Sequence, residues 1–266
     1  MPRESRGSQP PERNIGRAAG VVNHLTSHRS IRDNTSLNIA VVRNADASEV
    51  MRLKAILLDF DGVIAETDNH HVAAWQRTLS IMGWQIPDEV AARSAEIDDR
   101  EFLARLFAAR GVVSDKLEEW VRRKQALTVQ MLRNSPRLYP GSVDLIQSLR
   151  GRVKLAVVSG TWRENIQAVL EAAGLFESFD TVVGKEDVTA VKPAPEAYEL
   201  ALKKLRISAK SAIAIEDSPV GVASARAAGV RVIAVGHRHP FGDWVGESLY
   251  VSGFEPVAGL IEHLKL

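Results

Sequence analysis

Ala55-Ile56-Leu57-Leu58-Asp59-Phe60-Asp61-Gly62-Val63 is the stretch from which the rest of the chain can be read. Its first four residues are apolar without alternation and too few for a helix, which predicts a short strand buried on both faces. Asp59 and Asp61 follow at once, and Gly62 ends the run. Ligands of open α/β sheets gather beyond the carboxyl ends of the strands. A strand that stops on Asp59 therefore delivers a carboxylate to that rim. The pattern recurs twice: Leu155-Ala156-Val157-Val158 runs into Ser159-Gly160-Thr161, and Ala212-Ile213-Ala214-Ile215 into Glu216-Asp217-Ser218. Between them Val191-Lys192-Pro193 sets a cation ahead of an expected helix. Two acidic pairs, a hydroxyl and a lysine on one rim suit magnesium-dependent phosphoryl transfer.

Each element alone has a plainer meaning. An Asp-x-Asp pair usually sits in a turn, and Ser159 alone reads as a helix N-cap. A single Lys192 is ordinarily a solvated surface residue, and Glu216-Asp217 a capped turn. The joint placement weighs against these meanings, because three of the four groups end strands and the fourth precedes a proline-fixed helix start.

After Pro140-Gly141 the chain alternates strand and helix patterns: helices over Ser142–Leu149, Trp162–Ala173, Pro195–Leu205 and Val220–Ala228, strands over Val153–Val158, Thr181–Val183, Ala212–Ile215, Val230–Val235 and Leu249–Val251. This predicts an α/β fold, a parallel Rossmann-like sheet flanked by helices. From Thr67 to about Asn134 the pattern is helical throughout. Apolar spacing predicts helices over His70–Met82, closed by Gly83, and Asp99–Arg110, closed by Gly111. A third opens near Ser114-Asp115-Lys116-Leu117-Glu118, where Asp115 and Glu118 fit a capping box. The expected organisation is a core over 51–66 and 135–266 with an inserted α-helical cap over 67–134. Residues 1–50 begin Pro2-Arg3-Glu4-Ser5-Arg6-Gly7, too polar to bury a core, and are expected to be a disordered extension. Only Leu37–Val42 hints at a strand. Met51, directly before the first core strand, reads as the biological start. A transit peptide is the alternative, weakened by Glu4, Glu12 and Asp33.

Composition narrows the function. The net charge of +1 offers no electrostatic case for nucleic acid or a membrane surface, and zero cysteines exclude disulfides, thiolate metal sites and cysteine nucleophiles. No apolar run approaches the ~18 residues of a membrane span. No basic start leads into an apolar core and cleavage site, so a soluble cytoplasmic enzyme acting on a small molecule is expected.

In order and spacing, Asp59-x-Asp61-Gly62-Val63, Ser159, Lys192 and Ile215-Glu216-Asp217-Ser218-Pro219-x-Gly221 resemble the four motifs of the haloacid dehalogenase superfamily, over nearly all of residues 52–260. The resemblance implies that Asp59 is a nucleophile carrying an aspartyl-phosphate, and that Asp61 protonates the leaving alcohol and then activates water. It implies Mg²⁺ held by Asp59, Asp217 and the Asp61 carbonyl, with Glu216 behind or as an alternative ligand. Lys192 would supply fixed positive charge beside Asp59, and Ser159, with Gly160, would bind the phosphoryl oxygens. Asp61 separates phosphate-ester chemistry from dehalogenation, whose halide leaving group needs no proton. Thr67, His71 and Trp75 are similar to the β-phosphoglucomutase-like branch, and the Ala65-Glu66-Thr67 run is similar to sugar-bisphosphate phosphatases. This places Thr67 and His71 near the substrate at the hinge, leaves Trp75 to cap packing, and puts His70 at the surface.

The cap departs from the mutase pattern of a Lys-Gly and a nearby Arg. Here the region reads Arg93-Ser94-Ala95-Glu96-Ile97-Asp98-Asp99-Arg100, with Glu96 where the glycine would stand. Arg93 and Arg100 are the candidates for substrate binding, and a surface ion pair is the plainer role for each. The expectation is a Mg²⁺-dependent phosphatase of a small phosphorylated metabolite, such as a sugar phosphate. The alternatives are a β-phosphoglucomutase, which must hold a bisphosphate at both ends, and a non-catalytic ligand-binding protein of this fold. The four intact motifs speak against the last.

Overall fold

A computed structural model describes residues 39–40, 52–95, 97–242, 245–246 and 248–266. The extension apart from Ile39–Ala40, the start at Met51 and the Glu96 substitution lie outside the described residues. The stretch Ala55–Leu58 forms strand β2, buried at all four positions, and six further strands complete one sheet. These are β1 (Ile39–Ala40), β3 (Lys154–Val158), β4 (Thr181–Val183), β5 (Ala212–Glu216), β6 (Arg231–Val235) and β7 (Leu249–Val251). Their order is β1-β7-β6-β5-β2-β3-β4, all parallel except β1, which runs antiparallel on β7. The strand hint at Leu37–Val42 is thus met at Ile39–Ala40. Two residues of the expected disordered extension join the sheet, where they cover the edge that β7 would otherwise present.

Helices cover both faces of the sheet, so alternate residues of the central strands β2, β3 and β5 are apolar on either side. Ile56, Leu58, Leu155, Val157, Ile213 and Ile215 face helices α5 (Ser142–Leu149), α6 (Arg163–Ala172) and α9 (Val257–His263). Ala55, Leu57, Ala156, Val158, Ala212 and Ala214 face α7 (Glu196–Leu205) and α8 (Pro219–Ala227), where the smaller side chains let the helices lie close. From β2 the chain steps to β3 and β4 on one side, then returns to β5 on the other. The reversal puts the carboxyl end of β2, hence Asp59, at the switch point of the sheet.

Among the described residues four α-helices lie between β2 and α5: α1 (Asp68–Ile81), α2 (Asp88–Ala92), α3 (Asp99–Ala109) and α4 (Leu117–Asn134). They enclose their own core around Trp75, Leu79, Phe102, Leu103 and Phe107, and Trp75 packs 5.0 Å from Phe102 between ring centroids. The segments entering and leaving this cap run side by side. Glu66 N donates to Arg137 O at 2.9 Å and Tyr139 N to Ile64 O at 3.0 Å, with an antiparallel bridge between Ala65 and Leu138.

Two local expectations need correction. The capping box at α4 does not form: the helix starts at Leu117, Asp115 falls in the turn before it, and Ser114 Oγ accepts from Lys116 N at 3.1 Å. His70 is buried rather than exposed, because Ser135 O lies across from α1 and takes its Nε2–H at 2.8 Å. Helices α2 and α9, of five and seven residues, went unread because they are too short to show a period.

Candidate functional site

The rim is set by backbone ladders before any side chain takes part. Leu58 is in register with Val157 and Ile215, and the pairing continues past the strand ends: Asp59 N donates to Ile215 O and Ser159 N to Val183 O, both at 3.0 Å. Asp59, Ser159, Glu216 and Asp217 are all buried there. Lys192 reaches in from the segment before α7. Its Nζ lies 3.0 Å from Asp59 Oδ1, 2.6 Å from Glu216 Oε1 and 3.0 Å from Val158 O. Tyr198, on the first turns of α7, donates to the same Glu216 oxygen. Burial opposes the lysine's charge, but the Asp59 and Glu216 carboxylates outweigh it and hold its pKa above the ordinary lysine value.

Asp59, Glu216 and Asp217 each bring a carboxylate oxygen within 4.8 Å of the others. Glu216 Oε2 and Asp217 Oδ2 are buried without a hydrogen-bond partner, although Arg238 Nε approaches Asp217 Oδ2 to 3.7 Å. Burial, with the charge of Asp59, pushes the Glu216 and Asp217 carboxyls well above the ordinary carboxylate range. Converging buried oxygens of this kind fit a hard divalent cation, which binds carboxylates and supplies the missing positive charge. Gly62, at φ +83°, is what lets the loop pass: a Cβ there would lie 1.8 Å from Asp217 Oδ2.

Asp61 lies past the end of β2. Thr67 occupies the N-cap position of α1 but makes no capping bond, and its hydroxyl donates to Asp61 Oδ1 instead. An N-cap is worth about 1 kcal/mol. Diverting the hydroxyl from that duty marks Asp61 as the group whose position matters. Burial raises its carboxyl to about 6, against the lowering effect of the Thr67 bond and with a further rise from Asp59.

A cavity of about 260 Å³ lies between this rim and the cap. The core side gives it Asp61, Gly160, Thr161, Lys185 and Arg238, and the cap side Thr67, Asp68, His71, Ser94 and Asp99. A larger hollow of about 680 Å³ surrounds Arg52, Lys54, Arg150 and Lys154 at the amino ends of β2 and β3, remote from every residue above, so size does not mark the site. His71 lines the smaller cavity, with Nδ1 2.8 Å from Lys124 Nζ. Lys124 is fully buried and lies 2.8 Å from both oxygens of Asp99, which also accepts from Trp75 Nε1 at 3.1 Å. Burial, aided by Lys124, lowers His71 to about 3 and keeps it neutral.

Of the residues singled out in the sequence, Asp59, Asp61, Ser159, Lys192, Glu216 and Asp217 meet at the rim, and Gly160, Thr67 and His71 border the cavity. Arg93 and Arg100 do not. Arg93 is exposed on a short 3-10 turn, and Arg100 points outward to Glu118 at 2.7 Å. Arg238, Tyr198, Lys124, Asp99 and Ser94 were missed. Arg238 had a signal: it lies three residues past the carboxyl end of β6, where the rule that marks Asp59 also applies.

Over residues 56–235 the sequence matches the family described as haloacid dehalogenase-like hydrolase. The chain belongs to that family. It is an enzyme of the hydrolase type, with the parallel sheet and helical cap of its relatives. The protein CbbY of Rhodobacter capsulatus is 31% identical over 205 residues, covering 73% of this chain and 89% of CbbY. A fructose-1-phosphate phosphatase of Escherichia coli is 28% identical over 184 residues, covering 69% and 97%. A crystal structure of a CbbY variant from Rhodobacter sphaeroides in complex with xylulose-(1,5)bisphosphate superposes with a TM-score of 0.67 at 30% identity, covering 78% of this chain and 99% of that one. Among the described residues no helix is long and apolar enough to cross a membrane.

Proposed function

We propose that the enzyme hydrolyses the phosphate monoester of a small phosphorylated metabolite, a sugar phosphate, in the cytoplasm, with Mg²⁺ and an aspartyl-phosphate intermediate. The observation that carries this reading is the cluster of three buried carboxylates within 4.8 Å, with Lys192 Nζ 3.0 Å from Asp59. Asp59, Asp217 and the Asp61 carbonyl would hold the ion, with Glu216 tied to Lys192 and Tyr198 behind them. Bound there, Mg²⁺ supplies the positive charge that lets a carboxylate approach a phosphate dianion.

Asp59 attacks phosphorus, its oxygen forming the new bond as the bond to the sugar oxygen breaks. Lys192 fixes the attacking carboxylate and offsets charge on it. Asp61, its pKa raised to about 6 by burial and its carboxyl held by Thr67, gives its proton to the departing alkoxide. It then takes one from the water that attacks the aspartyl-phosphate, which returns Asp59 and releases phosphate. Ser159 and the Gly160 segment border the transferred oxygens. The cap closes over the cleft and keeps other water out.

Asp61→Asn tests the assignment. An amide neither protonates a leaving alcohol nor deprotonates water. In single-turnover phosphorylation of Asp59, the loss should be severe with a sugar phosphate and much smaller with p-nitrophenyl phosphate, whose leaving group departs as a stable anion. Equal losses on both substrates would remove the acid–base role.

A further inference from the structure

We propose that the cap wall of the cleft selects a sugar monophosphate whose far end is a neutral polyol, reading its hydroxyls with Ser94 and Asp99 and turning away a second phosphate. The inference rests on the phosphatase reading above and adds the substrate class.

The first argument is charge. Among the described residues, the cations that line this cleft or stand behind its cap wall already have carboxylate partners. Lys124 is held by both oxygens of Asp99 at 2.8 Å, Lys185 by Asp98 at 2.5 Å, and Arg238 by Asp68 at 2.8 Å with Asp217 at 3.7 Å. Arg100 is spent outside the cleft on Glu118. His71, buried against Lys124, offers no charge. A phosphate group arriving here meets cations already neutralised by carboxylates and must share them with Asp68, Asp98 and Asp99, acceptor beside acceptor. That sharing is unfavourable through like-charge repulsion.

The second argument is hydrogen-bonding capacity. Ser94 Oγ lies in a residue only 8% exposed on the cavity wall and has no partner. A buried hydroxyl left unpaired is costly, and a turn of the Ser94 side chain about χ1 would offer it to a ligand hydroxyl as donor or acceptor. Asp99, its side chain 15% exposed, lines the cavity and accepts from Lys124 and Trp75, which leaves part of its acceptor capacity unused. The wall therefore presents acceptors and one rotatable hydroxyl, a match for sugar hydroxyls. Its size agrees: about 260 Å³ is below the range of about 300–1,000 Å³ usual for drug-sized ligands.

The experiment measures kcat and KM for phosphate release by the Mg²⁺-loaded enzyme. Substrates are ketose and aldose monophosphates, each paired with its bisphosphate (fructose 1-phosphate with fructose 1,6-bisphosphate, for one), and p-nitrophenyl phosphate as the handle-free control. The monophosphate should lead its bisphosphate by about 100-fold in kcat/KM, the scale of one unfavourable like-charge contact. Ser94→Ala loses no protein hydrogen bond, so the fold should stand. It should raise KM for the preferred monophosphate by about tenfold more than for p-nitrophenyl phosphate, with kcat nearly held. Ser94→Lys, adding an unpaired cation, should narrow the gap between the pair by at least about tenfold. If p-nitrophenyl phosphate is cleaved but no monophosphate leads its partner, or neither member of any pair is cleaved, the wall has been misread. Equal KM shifts of both substrate types in Ser94→Ala would overturn it too. Failure to cleave p-nitrophenyl phosphate at all would instead strike the phosphatase reading beneath it.

Discussion

The two ends of the cleft handle charge in opposite ways. At the core end, Asp59, Glu216 and Asp217 crowd within 4.8 Å, and two of their buried oxygens have no hydrogen-bond partner. Where the cleft meets the cap, Lys124 on the cap and Lys185 and Arg238 on the core each have a carboxylate, and His71 is kept neutral. The first arrangement is under strain until a cation joins it, while the second is complete as it stands. An unbalanced cluster marks where chemistry happens. A balanced one marks a surface that discriminates through hydrogen bonds and shape.

The strongest way to break this contrast is Asp59→Asn. It should lower kcat by on the order of 10⁵-fold, as loss of a nucleophile does, in a steady-state phosphate-release assay. Removing one repelling carboxylate should leave the metal-free melting temperature unchanged or higher. More than about 1% residual activity would sink the nucleophile assignment.

At the opposite end, Lys124→Met strands Asp99 without its cation. Because breaking a buried ion pair costs about 3 kcal/mol at the low end, the melting temperature should fall by roughly 6–12 °C. Adding Asp99→Asn to that variant should recover much of the loss. A single variant that melts with the parent would show that the cap does not depend on that pairing.

Magnesium should separate the ends by pH. Burial raises the Asp61, Glu216 and Asp217 carboxyls, so the folded protein keeps protons that the unfolded chain has released. Metal-free stability from these groups is therefore present below the unfolded carboxylate pKa of about 4 and is lost as pH rises through the raised values. His71, lowered to about 3, works the other way: its contribution is present above about 6.5 and fades as pH falls. That contribution cancels when melts with and without Mg²⁺ are subtracted. The gain should approach about 2.7 kcal/mol at neutral pH with Mg²⁺ at 100 times its Kd, and shrink towards pH 5. A gain independent of pH would disconnect the metal from these carboxylates.

The smallest effect should come from Lys185→Met. Its bond to Asp98 joins core to cap, but the two side chains are 29% and 48% exposed. Solvent screening limits such a pair to less than about 1 kcal/mol in a denaturant melt. A larger loss would mean that this tie does more to hold the cap shut than its exposure allows.

The same contrast decides what could be read from the sequence. The core end was legible because Asp59, Ser159 and Glu216 end apolar runs, so a one-dimensional pattern fixes their height on the sheet. The parallel sheet and the inserted helices followed from the same rhythm. The cap end was opaque. Lys124 and Asp99 stand on separate helices, and nothing in the spacing of α4 announces that a lysine turns inward. Arg93 and Arg100 drew notice as cations, yet neither borders the cavity, while the unremarkable Ser94 does. Tyr198 resembled any core residue of α7, since its apolar ring hides the hydroxyl that reaches Glu216.

The paired segments at the cap's base have an evolutionary reading. Because Glu66 meets Arg137 and Ile64 meets Tyr139, the inserted helices leave and re-enter the core at one spot already stitched by backbone bonds. Closing a chain across such a gap grows costlier only with the logarithm of the length spanned. Helices can be lengthened, shortened or exchanged there with little consequence for the sheet below. The clasp makes the cap a transplantable unit, so a lineage of such enzymes can change what it recognises while inheriting how it reacts.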